Sequence, residues 1–98
     1  MKKTQRETVP EAIRRQCHEI GEFLVEKNQA YGNSAFEPMG IFSDLTADQQ
    51  VRVRIDDKLS RLARGQQYSQ EDTILDLVGY LVILRVIQER DHEAKAHL

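Results

Sequence analysis

An all-α fold is what the sequence predicts, on three observations. Apolar residues recur at spacings of three and four rather than in strict alternation, which is the period of a helix and not of a strand. Thr8-Val9-Pro10-Glu11, Thr46-Ala47-Asp48-Gln49 and Ser69-Gln70-Glu71-Asp72 each place a hydroxyl three residues ahead of an acid or amide. That hydroxyl can accept from the free N3 amide, and in the first two segments the N3 side chain can reach back. Glycines and prolines number only 5 and 2, too few for a turn-rich β-sandwich. At 98 residues the chain is a single domain. Its core is expected over about residues 9–90, with 91–98 a solvated, fraying end.

The first helix is expected from about Val9 to Asn28. Pro10 suits its first turn, where the missing N–H costs nothing. Ile13, Cys17, Ile20 and Leu24 form one apolar stripe. Cys17 lies within that stripe and reads as a packed small hydrophobe rather than a reactive thiol. Lys27-Asn28-Gln29-Ala30-Tyr31-Gly32 closes the helix, with Gly32 or Asn28 suited to a left-handed C-cap.

Residues 31–45, YGNSAFEPMGIFSDL, form a long irregular connection. Phe36, Met39, Ile41 and Phe42 are apolar anchors able to strap it to the core, although loops of this length are often functional. The second helix is expected from about Ala47 to Arg64, stopping at Gly65, with Val51, Ile55, Leu59 and Leu62 as its stripe. Between residues 50 and 64 it carries five bases (Arg52, Arg54, Lys58, Arg61, Arg64) against two acids, Asp56 and Asp57.

The third helix is expected from near Gln70 to about Arg90. Its apolar residues circle the axis: Ile74, Leu75, Leu77, Val78, Leu81, Val82, Ile83, Leu84, Val86 and Ile87. A helix that is apolar all round is buried all round. Asp76, Gly79 and Arg85 interrupt it, so it is not a membrane span. Two other helices do not cover such a surface. The expected architecture is therefore three main helices per chain in an intertwined bundle of a dimer or tetramer.

Composition narrows the function. Lys plus Arg number 14 and Asp plus Glu 16, for a formal net charge of −2. This lacks the basic excess of a general nucleic-acid binder. A single cysteine gives neither an internal disulfide nor a zinc cluster. MKKTQRET is charged but no apolar segment follows it, so no signal peptide is expected and the cytoplasm is the expected location.

Chemistry is suggested where acids share faces. Glu19, Glu22 and Glu26 stand at i, i+3 and i+7 on the first helix, and Asp72 and Asp76 at i, i+4 on the third. Asp76 sits in a nearly continuous apolar run, and a buried carboxylate is costly without a cation or donor. Acidic faces meeting in a helical bundle can hold Mg²⁺ or Mn²⁺, which favour carboxylate oxygens and leave waters for substrate phosphates. The plainer alternative makes Glu19 and Glu22 surface charges and pairs Asp76 with a base. On the second helix Arg54, Lys58 and Arg61 share a face able to hold phosphate oxygens. They can equally neutralise neighbouring acids, and Asp57–Arg61 has the spacing of an ordinary helix ion pair. His18, with Glu22 at i+4, reads as solvated, and His92 and His97 complete no metal spacing.

The series Lys27-Asn28…Tyr31-Gly32, Arg54-Ile55-Asp56-Asp57-Lys58-Leu59-Ser60-Arg61-Leu62 and Asp72…Asp76-Leu77…Gly79-Tyr80 resembles the small phage-associated "nucleotide modification associated" domain. That domain is in turn similar to the MazG-like all-α nucleoside triphosphate pyrophosphohydrolases. The resemblance spans roughly residues 19–85. It implies a nucleotide-binding helical homo-oligomer, in the host cytoplasm if phage-encoded. It also implies Glu19, Glu22, Glu26, Asp72 and Asp76 as metal ligands, with Glu22, Glu26 and Asp76 nearest the chemistry. Lys58 and Arg61 would meet phosphates, and Lys27, Asn28 and Tyr31 the rest of the nucleotide. Glu19-x-x-Glu22 matches the first half of the MazG pattern. In the second half, Thr73 stands where the pattern has an acid, three residues before Asp76. The function so implied is Mg²⁺-dependent cleavage of a nucleoside triphosphate to monophosphate and pyrophosphate. The alternatives are a nucleotide sponge or regulator without turnover, and a structural helical adaptor.

Overall fold

Two capping boxes launch the first two helices as their sequences dictate. Thr8 Oγ1 accepts from the Glu11 amide at 3.2 Å, and the Glu11 carboxylate accepts from the Thr8 amide at 3.4 Å. Thr46 and Gln49 repeat the exchange at 3.2 and 2.9 Å. In the structure, a computed structural model describing residues 6–65 and 72–96, these caps open α1, Val9–Ala30, and α2, Ala47–Ala63. The third helix, α3, is Thr73–Ala96. It runs past the expected end, and residues 91–96 are helical and exposed. Among the described residues the chain is all-α. Because α2 is the better packed of the two capped helices, Thr46→Ala is expected to cost about 1 kcal/mol in chemical denaturation, the usual value of an N-cap hydroxyl.

The third start differs from expectation. Ser69 lies outside the described residues, and Asp72 itself caps α3. Its Oδ1 accepts from the Leu75 amide at 2.9 Å, and its carbonyl accepts from the Asp76 amide at 3.0 Å. The stops follow the glycines. Tyr31 closes α1, after which Gly32 and Asn33 take φ of 59° and 63°. Gly65 takes φ of 65° just after Arg64 caps α2. Asn28 remains helical. Its Nδ2 donates to Asn33 Oδ1 at 2.6 Å, tying the helix end to the left-handed residue that follows it.

Helices α2 and α3 pair as an antiparallel hairpin and carry the core. Val51 and Ile87 are its buried apolar residues among those described. The α2 stripe turns part-way along. Val51 is buried and Ile55 half-buried as expected, but Leu59 and Leu62 are exposed while Lys58 and Arg61 lie half-buried. The reason is charge: Lys58 reaches Asp76 on α3, and drawing that side chain inward rotates the leucines out.

By contrast α1 barely touches the rest. It meets α3 where Leu24 lies against Gly79, and a Cβ built on Gly79 would stand 3.0 Å from Leu24 Cδ2. Ile20, Gly21, Leu24 and Asn28 are half-buried, and Ala12 is the only half-buried residue from Val9 to Glu19. Ile13 and Cys17 are therefore exposed rather than packed. Gly79→Leu is expected to pry α1 off α3 and leave the α2–α3 hairpin standing. Hydrogen exchange should then show faster exchange over residues 20–28 and unchanged protection around Val51 and Ile87.

Of the four expected apolar anchors of the 31–45 connection, one is engaged. Phe36 is half-buried beneath the Arg90 guanidinium, 5.8 Å from its ring centre. Met39, Ile41 and Phe42, also expected as anchors, are exposed.

Candidate functional site

The centre of interest is the α2–α3 seam. Lys58 Nζ stands 3.1 Å from Asp76 Oδ2, with the Lys58 side chain 12 % and the Asp76 side chain 30 % exposed. In an apolar stretch a carboxylate needs a cation, and the antiparallel register supplies one from the facing helix. The pairing also explains why a lysine occupies the inward line Val51, Ile55, Lys58. The aliphatic stem contributes packing and the ammonium meets the acid.

The other seam candidates lie one turn away along each helix. One turn further along α2, Arg61 Nη2 stands 3.4 Å from Asp57 Oδ2, the ordinary helix pair its spacing suggests. One turn before Asp76 on α3 lies Asp72. Its Oδ1 is engaged in the helix cap. Next to it, Thr73 is buried and its hydroxyl meets no hydrogen-bond partner among the described residues. In the sequence Thr73 stands out only as a departure from an acidic pattern. Its position on the inward line with Asp76, Tyr80 and Ile87 is the signal that places it in the seam.

The α1 acids lie elsewhere. Leu24 faces α3, and at 3.6 residues per turn Glu19, Glu22 and Glu26 fall roughly 140–160° around the helix from it. All three are exposed. Glu19 accepts from Arg15 at 3.4 Å, and Arg15 also binds Glu7 at 2.8 Å. The hydrogen bond from Arg15 holds the Glu7 carboxyl below its ordinary pKa, and Glu7 and Glu19 raise that of Arg15. Within one chain the acids of α1 are not brought to Asp72 and Asp76. Among the described residues no group of three or more His, Cys, Asp or Glu is placed to hold a metal ion.

The remaining candidates line a shallow groove at the end of α1, formed by Phe23, Glu26, Lys27, Ala30 and Tyr31. Lys27 Nζ sits 5.1 Å from the centre of the Phe23 ring, an i, i+4 cation–π contact. Tyr31 is exposed. Asn28 points out of this set and into the C-cap bond with Asn33. The expected site thus divides into a charged seam (Lys58, Arg61, Asp72, Asp76) and an aromatic groove (Glu26, Lys27, Tyr31). Phe23, not singled out in the sequence, belongs to the groove because it lies one turn before Lys27.

No helix among the described residues is long and apolar enough to cross a membrane. Compared with family models, with curated proteins and with solved structures, the chain finds no match.

Proposed function

We propose that this chain binds a nucleoside triphosphate across the α2–α3 seam and, with Mg²⁺ or Mn²⁺, hydrolyses it to the monophosphate and pyrophosphate, as a homo-oligomer in phage or prophage nucleotide metabolism. The observation that carries the proposal is the inter-helix pair of Lys58 and Asp76 at 3.1 Å. The most enclosed base of the phosphate-binding row and the most enclosed acid of the metal-binding set share one place.

The donor set suits a hard divalent cation held by one or two carboxylates, the rest of its shell being water and substrate phosphate. Asp76 and the second oxygen of Asp72 would hold it. When bound, Mg²⁺ supplies charge neutralisation on the phosphates and an acidified water. The chain's own groups do the remaining work. Lys58 exchanges its carboxylate partner for phosphate oxygens, and Arg61 adds a planar pair of donors one turn away. Thr73 closes the seam floor between Asp72 and Asp76.

One observation favours a second reading. Glu19, Glu22 and Glu26 face away from the seam, so a single chain offers a phosphate-binding pair without a full carboxylate set. A nucleotide sponge or regulator needs only the former. Incubation with a panel of ribo- and deoxyribonucleoside triphosphates plus Mg²⁺ or Mn²⁺, read by chromatography and by titration, separates the cases. Monophosphate and pyrophosphate are expected. Tight binding without products would replace the enzyme with the sponge, and neither binding nor products would leave the structural adaptor.

A further inference from the structure

We infer that the N-terminal half of α1 is an exchange arm that seats on the outer face of α3 in a second copy of this chain, and that the second copy returns the same contact. This inference rests on the homo-oligomer of the proposed function and says which surfaces make it; it depends on neither nucleotide binding nor turnover.

Two apolar stripes are left uncovered by the single chain. One runs along α1 through Val9, Ile13 and Cys17 to Ile20, with Ile13 58 % exposed. The other runs along the face of α3 turned away from α2, through Ile74, Val78, Leu81, Val82 and Val86, with Ile74 65 % and Leu81 44 % exposed. At 1.5 Å per residue, Val9–Ile20 spans about 17 Å and Ile74–Val86 about 18 Å. The stripes match in length, yet within one chain α1 meets α3 around Leu24 and Gly79, beyond the arm's C-terminal end.

The surface area says how large the covering must be. The accessible surface is 8624 Å², whereas a compact monomer of 11.4 kDa exposes about 5,800 Å². The radius of gyration is 17.1 Å, against about 12.6 Å for a compact chain of this length. The excess is about 2,800 Å² per chain, or about 5,600 Å² for two chains, enough to supply the roughly 2,000–5,000 Å² in total that an obligate homodimer buries. A small ligand cannot cover it. A second copy can, because each chain carries both an arm and a receiving face. A two-fold exchange buries four stripes at once and closes on itself.

The native cysteine supplies a probe. Cys17 lies about three-quarters of the way along the arm, eight residues from Val9 and three from Ile20. It falls opposite Val78 if the arm runs antiparallel to α3 and opposite Val82 if it runs parallel. Within one chain Cys17 is seven residues, or about 10 Å, up α1 from the Leu24–Gly79 crossing, beyond disulfide reach of residue 78.

The full chain should sediment as a dimer, alone or as half of a larger closed assembly, at about 10 µM. Ile13→Asp and Leu81→Asp should each raise the dissociation constant at least ~100-fold. Because Ile13 is exposed within its own chain, the Ile13→Asp variant should keep its helical circular dichroism. One of Val78→Cys and Val82→Cys, according to the direction of the arm, should give a covalent dimer on mild oxidation, lost when Cys17→Ser is added. A helical monomer at 10 µM would overturn the inference. So would a dimer indifferent to both aspartates and yielding no Cys17-dependent crosslink.

Discussion

Asp76→Asn is expected to remove metal-dependent turnover almost entirely, by at least ~100-fold, which corresponds to roughly 3 kcal/mol of transition-state stabilisation. The substitution keeps the shape and deletes the charge that faces Lys58 across the seam. It also weakens the fold. Removing one partner of a fully buried pair costs about 3–5 kcal/mol. With 30 % of the Asp76 side chain exposed, a loss of about 1–2 kcal/mol is expected after allowing for solvent. The two effects separate in practice: thermal melts report the second, and turnover measured well below the melting temperature reports the first. Full activity with unchanged metal affinity in this variant would move the chemistry away from the seam.

Lys58→Gln and Arg61→Gln carry the second large effect. If these side chains hold phosphate, nucleotide affinity should fall by about 1.5–3 kcal/mol for each charge-assisted bond lost, or roughly 10- to 150-fold. The stability change in the absence of nucleotide should differ between the two. Lys58 is enclosed and bridges two helices, whereas the Asp57 partner of Arg61 is a half-exposed neighbour on the same helix. Lys58→Gln should therefore lower the melting temperature, and by more than Arg61→Gln does. Nucleotide affinity left unchanged in both variants, with a lowered melting temperature in the first, would assign the row to structure and favour the adaptor.

Local chemistry was readable where a few adjacent residues decide it. The Thr8–Glu11 and Thr46–Gln49 boxes and the Gly32 and Gly65 stops all lie where the sequence puts them, because capping depends on neighbours three or four positions apart. The start of α3 was harder to read because Asp72 caps it with no acid or amide three residues on, whereas the capping-box pattern points to Ser69, which lies outside the described residues. Longer-range features were less legible. Periodicity identifies the apolar stripe of α1 but not what covers it, so Cys17 reads as packed and is exposed. The leucines of α2 were expected to face the core. The register of α2 against α3 instead brings Lys58 opposite Asp76, and that register is a property of two helices together. For the same reason the sequence placed the α1 acids beside Asp76, whereas the crossing at Leu24 turns them away.

That same uneven packing sets an order of assembly. The α2–α3 hairpin joins segments close together in the chain, and contacts between near neighbours form fast because little chain entropy is lost in closing them. The Leu24–Gly79 contact must instead close a loop of more than fifty residues for a small reward. Refolding should therefore proceed in two kinetic phases. A fast phase, independent of protein concentration, forms the hairpin. A slower one recruits α1, and its rate rises with concentration where a second chain supplies the surface that α1 lacks at home.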